Sequence, residues 1–421
     1  PPPPFSSRRR HTRYKDWSRG LGDVYKRQEL EEAGALAESL AVFQQEPSTL
    51  KIDAISSERL QRFMPRLISL VVQCHEPLLA LDRTLSVINR VLRRSAYVSL
   101  LNENLVATRR LVQLCESSSY VAAQLARYPV LLDELLEPRI ATERIEKAEF
   151  EAELATRSAH LQGSDSEARM EMLAQFQRAS LFRIAVADFS GSLPIMKVSD
   201  SLTFLAEAVL DHALESAWLD LTAKHGVPHY DIDGERRAAG FGVIGYGKLG
   251  GLELSYGSDL DLVFLHDSKG GRQTTDGEKP LDNAIFFGRL IRRLVHFLTT
   301  QTSSGVMYEI DTRLRPEGRK GVLVTSTDAF QRYQQENAWT WEHQALLRAR
   351  PVAGSETVAK TFERIRARTL MSRVRLDALR DDVVSMRTRM RRELDNSGTG
   401  RFDLKHGRGG IGDIEFIVQY L

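Results

Sequence analysis

Cysteine is nearly absent: Cys74 and Cys115 are the only two in 421 residues. They offer neither a disulfide framework nor a metal-ligand spacing. Both read as small buried hydrophobes in a reducing compartment, by default the cytoplasm. No stretch reaches the ~18 consecutive apolar residues that a membrane span needs, so no membrane association is expected. A basic surface is missing too. The formal net charge is +2, but residues 1–28 carry eight Lys/Arg against two Asp, which leaves the rest of the chain at −4. Nucleic acid is therefore not an expected partner. The basic leader has no apolar h-region, so it is not a signal peptide. It meets a helical pattern at Glu29 without a cap, as a non-native or disordered leader would.

What is present is a helical protein with one interruption. From Glu29 to about Lys224 the apolar spacing is helical. Leu101, Leu105, Leu111, Val112 and Cys115 fall near one face, and the run SSSYVAAQLARYPVLLDELLEP opens on a serine-rich helix start. Residues 141–178 are charged and read as solvated helix. Asp200–Lys224 reads as a long helix with Ser199 as its N-cap and Gly226 just past its end. At Gly240 the texture changes. FGVIGYG, LDLVFLH, VMYEIDTRLRP and GVLVTS read as strands, with a helix over 282–301 between them. After Pro351 the pattern is helical again, and the chain stops inside an apolar helical run, as a fragment would. The expected class is α+β: a helical region at 29–235, a mixed-sheet domain at 236–355, and the start of a further helical domain at 356–421.

The chemistry concentrates in GYGKLGGLELSYGSDLDLVFLHD, residues 245–267. Gly245, Gly247 and Gly250 spell a dinucleotide fingerprint, but that motif should open a helix and find one acidic residue about 20 positions on. Here two acids, Asp259 and Asp261, follow Gly245 by 14 and 16 residues, at the start of a strand. No Gly-Lys-Ser/Thr closes the glycine run, which excludes a P-loop. In a strand, alternate side chains share a face, so Asp259 and Asp261 project together while Leu260 and Leu262 pack behind. Paired carboxylates repel unless a cation lies between them, and Mg²⁺ takes one or two carboxylates together with phosphate oxygens. By the same period, Glu309, Asp311, Arg313 and Arg315 share a face, so Asp311 can complete a three-carboxylate cluster and the arginines can meet phosphate. An ion pair of those arginines with Glu309 would give the same sequence. Backbone N–H groups around Gly245, Tyr246 and Gly250, with Lys248, can cradle a triphosphate. Taken singly, each aspartate fits the solvated face of an edge strand; the combination points to a metal-dependent phosphate site.

A glycine turn, a spacer, Asp-x-Asp and a later strand Asp together resemble the nucleotidyltransferase superfamily typified by DNA polymerase beta. Tyr246 stands where that pattern has a small residue. GYGKLGG, YGSDLDLVFLHD, YEIDTRLRPEG, AWTWEHQALLRARPVAG and FDLKHGRGGIGDIEFIVQYL narrow the match. Over residues 30–421 the chain resembles the glutamine synthetase adenylyltransferase family, whose members carry an adenylyl-removing and an adenylyl-transferring half. The motif wording is similar to the transferring half. The resemblance implies transfer of AMP from ATP to a tyrosine of glutamine synthetase. It implies two Mg²⁺ bridged by Asp259 and Asp261, with Asp311 at the nucleophile. Gly245, Tyr246, Lys248, Gly250 and Ser258 would contact phosphate, with Arg313 and Arg315 as further candidates. A PII-type signal protein is an implied partner and glutamine an implied effector. Removal of adenylyl groups by phosphorolysis shares the same transition state, so direction stays open. A non-catalytic nucleotide-sensing module is the reading from another class, and the intact aspartate set counts against it. Trp339 and Trp341 are expected in the core rather than stacked on a base, and His343 is expected to be structural. Lys405, with the glycine turn at 407–412 and Asp413 and Glu415, lies in a motif that the family shares; the residues give it no definite role, and a contact to phosphates or to the catalytic domain stays open.

Overall fold

Leucine, valine and alanine at three- and four-residue spacing build helices wherever a polar side chain starts them. The computed structural model describes residues 33–92, 94–136, 146–161, 165–372 and 378–421. The expected leader at 1–28 lies outside them. The described residues fall into two compact units, one within Pro1–Glu143 and Phe182–Leu193, the other within Arg144–Leu181 and Pro194–Leu421. No helix among the described residues is long and apolar enough to cross a membrane.

The first unit is helical. Ala54–Val71, Leu105–Ser117 and Ser119–Arg127 are capped by Asp53, Asn104 and Ser118, whose side chains accept from the N–H of Ser56, Ala107 and Val121. Asn104 also ends the preceding helix, Ser95–Glu103. The single face expected across this stretch is therefore broken. Leu101, Leu111, Val112 and Cys115 are buried, whereas Leu105 begins a new helix and is exposed. Burial pushes the Cys115 thiol up to about 12, so it is an inert core residue.

The second unit carries the sheets. The charged stretch expected to be solvated instead buries Phe150, Leu154, Leu173 and Phe176, with Phe150 and Phe176 edge to face at 6.2 Å. Sparse but large apolar residues win over a charged background because each buries so much area. The long helix runs Ile195–His225, with Pro194 rather than Ser199 at its N-cap. Pro194 is extended (φ −62°, ψ 144°), and its carbonyl accepts from Lys197 and Val198. Gly226 ends the helix at φ +77°, as expected.

Eight strands follow: β1 (Pro228–Ile232), β2 (Glu235–Ala238), β3 (Phe241–Gly245), β4 (Leu260–His266), β5 (Gly271–Thr275), β6 (Ile310–Asp311), β7 (Val324–Ser326) and β8 (Arg350–Gly354). One sheet has the order β2-β1-β5. The other has the order β6-β4-β3-β8, with β7 also pairing β4. β3 is antiparallel to β4 and β8; β6 and β7 pair parallel to β4. This mixed sheet among helices bears out the α+β class. Both of its faces are covered. Helix Asn283–Thr299 buries Phe286, Phe287, Leu290 and Leu294. Ile244, Tyr246, Val263 and Leu265 pack with Phe330, Val358 and Phe362. The chain does not turn helical at Pro351: β8 runs through it, tolerated because β8 is an edge strand.

Candidate active site

β6 pairs with β4 so that Asp261 stands opposite Asp311. In-register residues of neighbouring strands share a face, and Asp259, two residues before Asp261, joins them. One carboxylate oxygen from each of the three lies within 4.8 Å of the others. Asp259 is exposed, and Asp261 and Asp311 are half-buried. Burial, then the charges of Asp259 and Asp311, raise the Asp261 carboxyl to about 6, against the opposing pull of Arg313 and Lys405. Burial works against charge on Asp311 as well, but hydrogen bonds from Arg313 hold its carboxyl below the usual range. Three acids converging with so little neutralisation make a donor set that fits hard divalent cations.

β6 is only two residues long, so the period-two face expected for residues 309–315 does not extend past Asp311. Arg313 folds back onto it. Its backbone N–H donates to Asp311 Oδ1 at 2.8 Å and its Nε to Oδ2 at 2.6 Å. Glu309 is not its partner; its carbonyl accepts from Leu260 N–H at 2.9 Å. Arg315 leaves the site. Its guanidinium donates to the carbonyls of Thr312 (2.8 Å), Gly321 (3.1 Å) and Arg319 (3.2 Å), closing the loop after β6.

The glycine turn also departs from expectation. Gly245 ends β3, buried, and a Cβ there would meet Val352 Cγ1 at 2.8 Å. The Tyr246 ring is buried in the core, which raises its hydroxyl pKa, and its N–H donates to the Asp261 carbonyl at 2.9 Å. Gly250 donates its N–H to the Tyr246 carbonyl at 3.0 Å. These three therefore build the turn and hold Asp261, and their N–H groups do not face open solvent. Gly247 was part of the motif but not singled out. It sits at φ +56°, and a Cβ there would strike the Asp261 carboxylate. Past it, Lys248 is exposed, its Nζ 3.4 Å from Ser255 Oγ, which lies 2.9 Å from Ser258 Oγ. Ser255 had no signal in the sequence apart from lying in the loop.

Gly250 has a second constraint: a Cβ would collide with the Arg348 carbonyl and sit 2.6 Å from that of Gly245. Both obstacles are backbone. Gly250→Ala is expected to lose about 3 kcal/mol of stability, read as a lowered melting temperature; an unchanged melt would show that the turn can shift. Arg348 itself bridges Glu253, after the turn, to Glu415 at 2.8 Å. Trp339 is not core: it is 70% exposed, while Trp341 is half-buried. His343 is structural, its Nε2 3.0 Å from the Gln334 carbonyl.

The chain matches the family model for glutamate-ammonia ligase adenylyltransferase over residues 108–365, more than half its length. The bifunctional glutamine synthetase adenylyltransferase/adenylyl-removing enzyme of Pseudomonas syringae pv. tomato is 48% identical over 92% of this chain and 40% of its own length. Its namesake from Thioalkalivibrio sulfidiphilus is 48% identical over 88% of this chain and 38% of its own. That from Pseudomonas putida is 46% identical, covering 96% and 43%. The chain thus spans about two fifths of the length of these curated relatives. With the glycine turn, the paired strands and the three aspartates inside or beside the matched region, the chain belongs to the glutamate-ammonia ligase adenylyltransferase family.

Proposed function

We propose that the chain transfers AMP from ATP to a tyrosine hydroxyl of glutamine synthetase, releasing pyrophosphate, as a cytoplasmic enzyme. The observation that carries this reading is the convergence of Asp259, Asp261 and Asp311 within 4.8 Å beside the glycine turn. Those residues would hold two Mg²⁺. Bound there, the cations offset the carboxylate charge and polarise the phosphate and attacking oxygens. The chain's own groups do the rest. The N–H groups of Gly247, Lys248 and Leu249 donate to no acceptor among the described residues. With the side chains of Lys248 and Ser258, they are placed to receive phosphate oxygens. Asp311, kept ionised by Arg313, orients the tyrosine hydroxyl and draws on its proton. The phenolic oxygen bonds to the α-phosphorus as the α–β bridging bond breaks, and the electron pair leaves with pyrophosphate.

Among the described residues there is a single such aspartate cluster, which supports one direction of reaction rather than two opposed ones. The relatives' name includes removal of adenylyl groups, and the motif wording favours transfer. A PII-type signal protein and glutamine enter as regulators on the family resemblance alone. Incubation with α-labelled ATP and Mg²⁺ is expected to label glutamine synthetase on tyrosine, and chelation to stop it. Phosphate with adenylylated glutamine synthetase is expected to release little ADP. ADP release without labelling would reverse the direction, and neither product would leave a nucleotide-sensing module.

A further inference from the structure

β4 pairs with β3 along Leu262–His266 and with β7 along Phe264–His266, so β3 and β7 take opposite edges of it. Nearer its start, the Asp261 carbonyl accepts from Tyr246 N–H, while Leu260 N–H donates to the Glu309 carbonyl. Neighbouring residues of a strand point their backbone groups to opposite edges, which puts β6 on the β7 side. Residues 312–323 therefore leave that edge at Asp311, beside the aspartate cluster, and return to it at Val324, opposite Phe264. Arg315 fixes their shape from within, donating to the Thr312 carbonyl at 2.8 Å, where the loop begins, and to the Gly321 carbonyl at 3.1 Å, where it ends. Gly318 N–H donates to the Arg315 carbonyl at 2.9 Å, and a Cβ on Gly321 would strike the Pro316 carbonyl.

What this fixed loop shows to solvent is basic and apolar. Arg313 and Arg315 are committed to Asp311 and to loop carbonyls, and the one acid, Glu317, stands at the turn with φ +62°. Arg319 and Lys320 are exposed, and their side chains have no hydrogen-bond or ion-pair partner among the described residues. Beside them Val322 is 69% exposed and Leu323 37%. The position of the loop gives these side chains a use. In an in-line displacement the attacking and leaving oxygens stand on opposite sides of the phosphorus. The phosphate-receiving N–H groups at Gly247–Leu249 follow β3, on one edge of β4, and residues 312–323 spring from the other. With pyrophosphate leaving toward the glycine turn, the tyrosine has to come in over β6.

We propose that residues 319–323 dock the segment of the protein substrate that carries the target tyrosine. Val322 and Leu323 take an apolar side chain of that segment, and Arg319 and Lys320 take acidic side chains flanking the tyrosine. This rests on the adenylyl-transfer reading above. It adds the chemistry by which the chain selects its protein substrate: an acidic, partly apolar stretch around a tyrosine.

The test uses the full chain with three changes: Arg319→Glu with Lys320→Glu, Arg319→Lys with Lys320→Arg, and Val322→Ser. Each is assayed for labelling of glutamine synthetase from α-labelled ATP and Mg²⁺, for ATP affinity, and for melting temperature. Charge reversal is expected to raise the KM for glutamine synthetase about 10- to 100-fold and to remove the rise of KM with salt seen in the wild type. The charge-keeping exchange should behave as the wild type. Val322→Ser should raise KM about 3- to 10-fold and keep the salt dependence. ATP affinity should change less than about twofold and the melt should stay in place, because all these side chains are exposed. A wild type that labels glutamine synthetase with a KM unmoved by the variants would overturn the docking surface alone. A parallel loss of ATP affinity would assign the two cations to the nucleotide and overturn it as well. If the chain only releases ADP from adenylylated glutamine synthetase, the same KM shifts for that form would support the surface while the direction of reaction is reversed. A wild type active on neither form sinks both readings.

Discussion

Asp259→Asn is expected to lower the rate of AMP transfer about 10²–10³-fold or more while leaving the protein folded. Asp259 is the exposed member of the cluster, and the amide keeps its shape, so Leu260 and Leu262 stay packed behind it. What is lost is one unit of negative charge from a donor set that fits divalent cations. A thermal melt separates the two effects. Mg²⁺ should raise the melting temperature of the wild type, because a ligand that binds only the folded state stabilises it. The variant should show little such rise. Near-normal turnover at saturating Mg²⁺ would remove Asp259 from the metal site.

Asp261→Asn should be equally inactive but more stable than the wild type in the absence of metal. The sign follows from the raised carboxyl. Burial and the two neighbouring acids lift Asp261 from 3.8 to about 6. Ionised Asp261 therefore costs the folded state a stability that is fully present below the unfolded pKa and lost as pH rises through about 6. The Asn variant escapes this cost, so its advantage should be seen at pH 7–8 and vanish near pH 4. Such a site gives up stability for function, and a bound metal would restore it.

The aspartate cluster was legible because its signal is local: a period of two in β4 and a strand acid that only needed to find its neighbour. The pairing of Asp261 with Asp311 was an expectation from face-sharing, and the register supplies it. Less legible was everything set by where the chain turns. Arg315 was placed on the site face because VMYEIDTRLRP reads as one strand, whereas β6 stops at Asp311 and the arginine closes a loop. Tyr246, Gly245 and Gly250 sit in the motif for the sake of packing, and a glycine kept for close approach looks in sequence like one kept for phosphate. β1, β2, β5 and β8 were missed. β2 is ERRA, exposed throughout, and β8 carries a proline, so neither shows an apolar alternation. The Arg348–Glu415 bridge spans 67 positions, a separation at which single-sequence patterns carry no information.

Glu207 is the other position where a large effect is expected, and again nothing in the sequence marks it. It lies on the long helix, where an amphipathic pattern would put a carboxylate in solvent, yet its side chain is only 4% exposed. It accepts from Lys147 at 2.8 Å and from Arg350 at the start of β8. Arg350 also donates to the Leu249 carbonyl in the glycine turn at 3.1 Å. Glu207 therefore positions an arginine that in turn steadies the loop beside Asp261. Removing one partner of a buried pair leaves the other charge uncompensated, at a cost of about 3–5 kcal/mol. Lys147 and Arg350 are partly exposed and can turn to water, so the lower end applies. Glu207→Ala is expected to lose about 3 kcal/mol, and a fall in melting temperature of roughly 5–10 °C would report it. Glu207→Gln keeps one acceptor oxygen of the two, without the charge, and should fall between Glu207→Ala and the wild type. Because the strain passes to the glycine turn, Glu207→Ala should also loosen nucleotide binding at temperatures where the protein is still folded. A variant that melts early but binds ATP with wild-type affinity would confine Glu207 to the scaffold and break its link to the site.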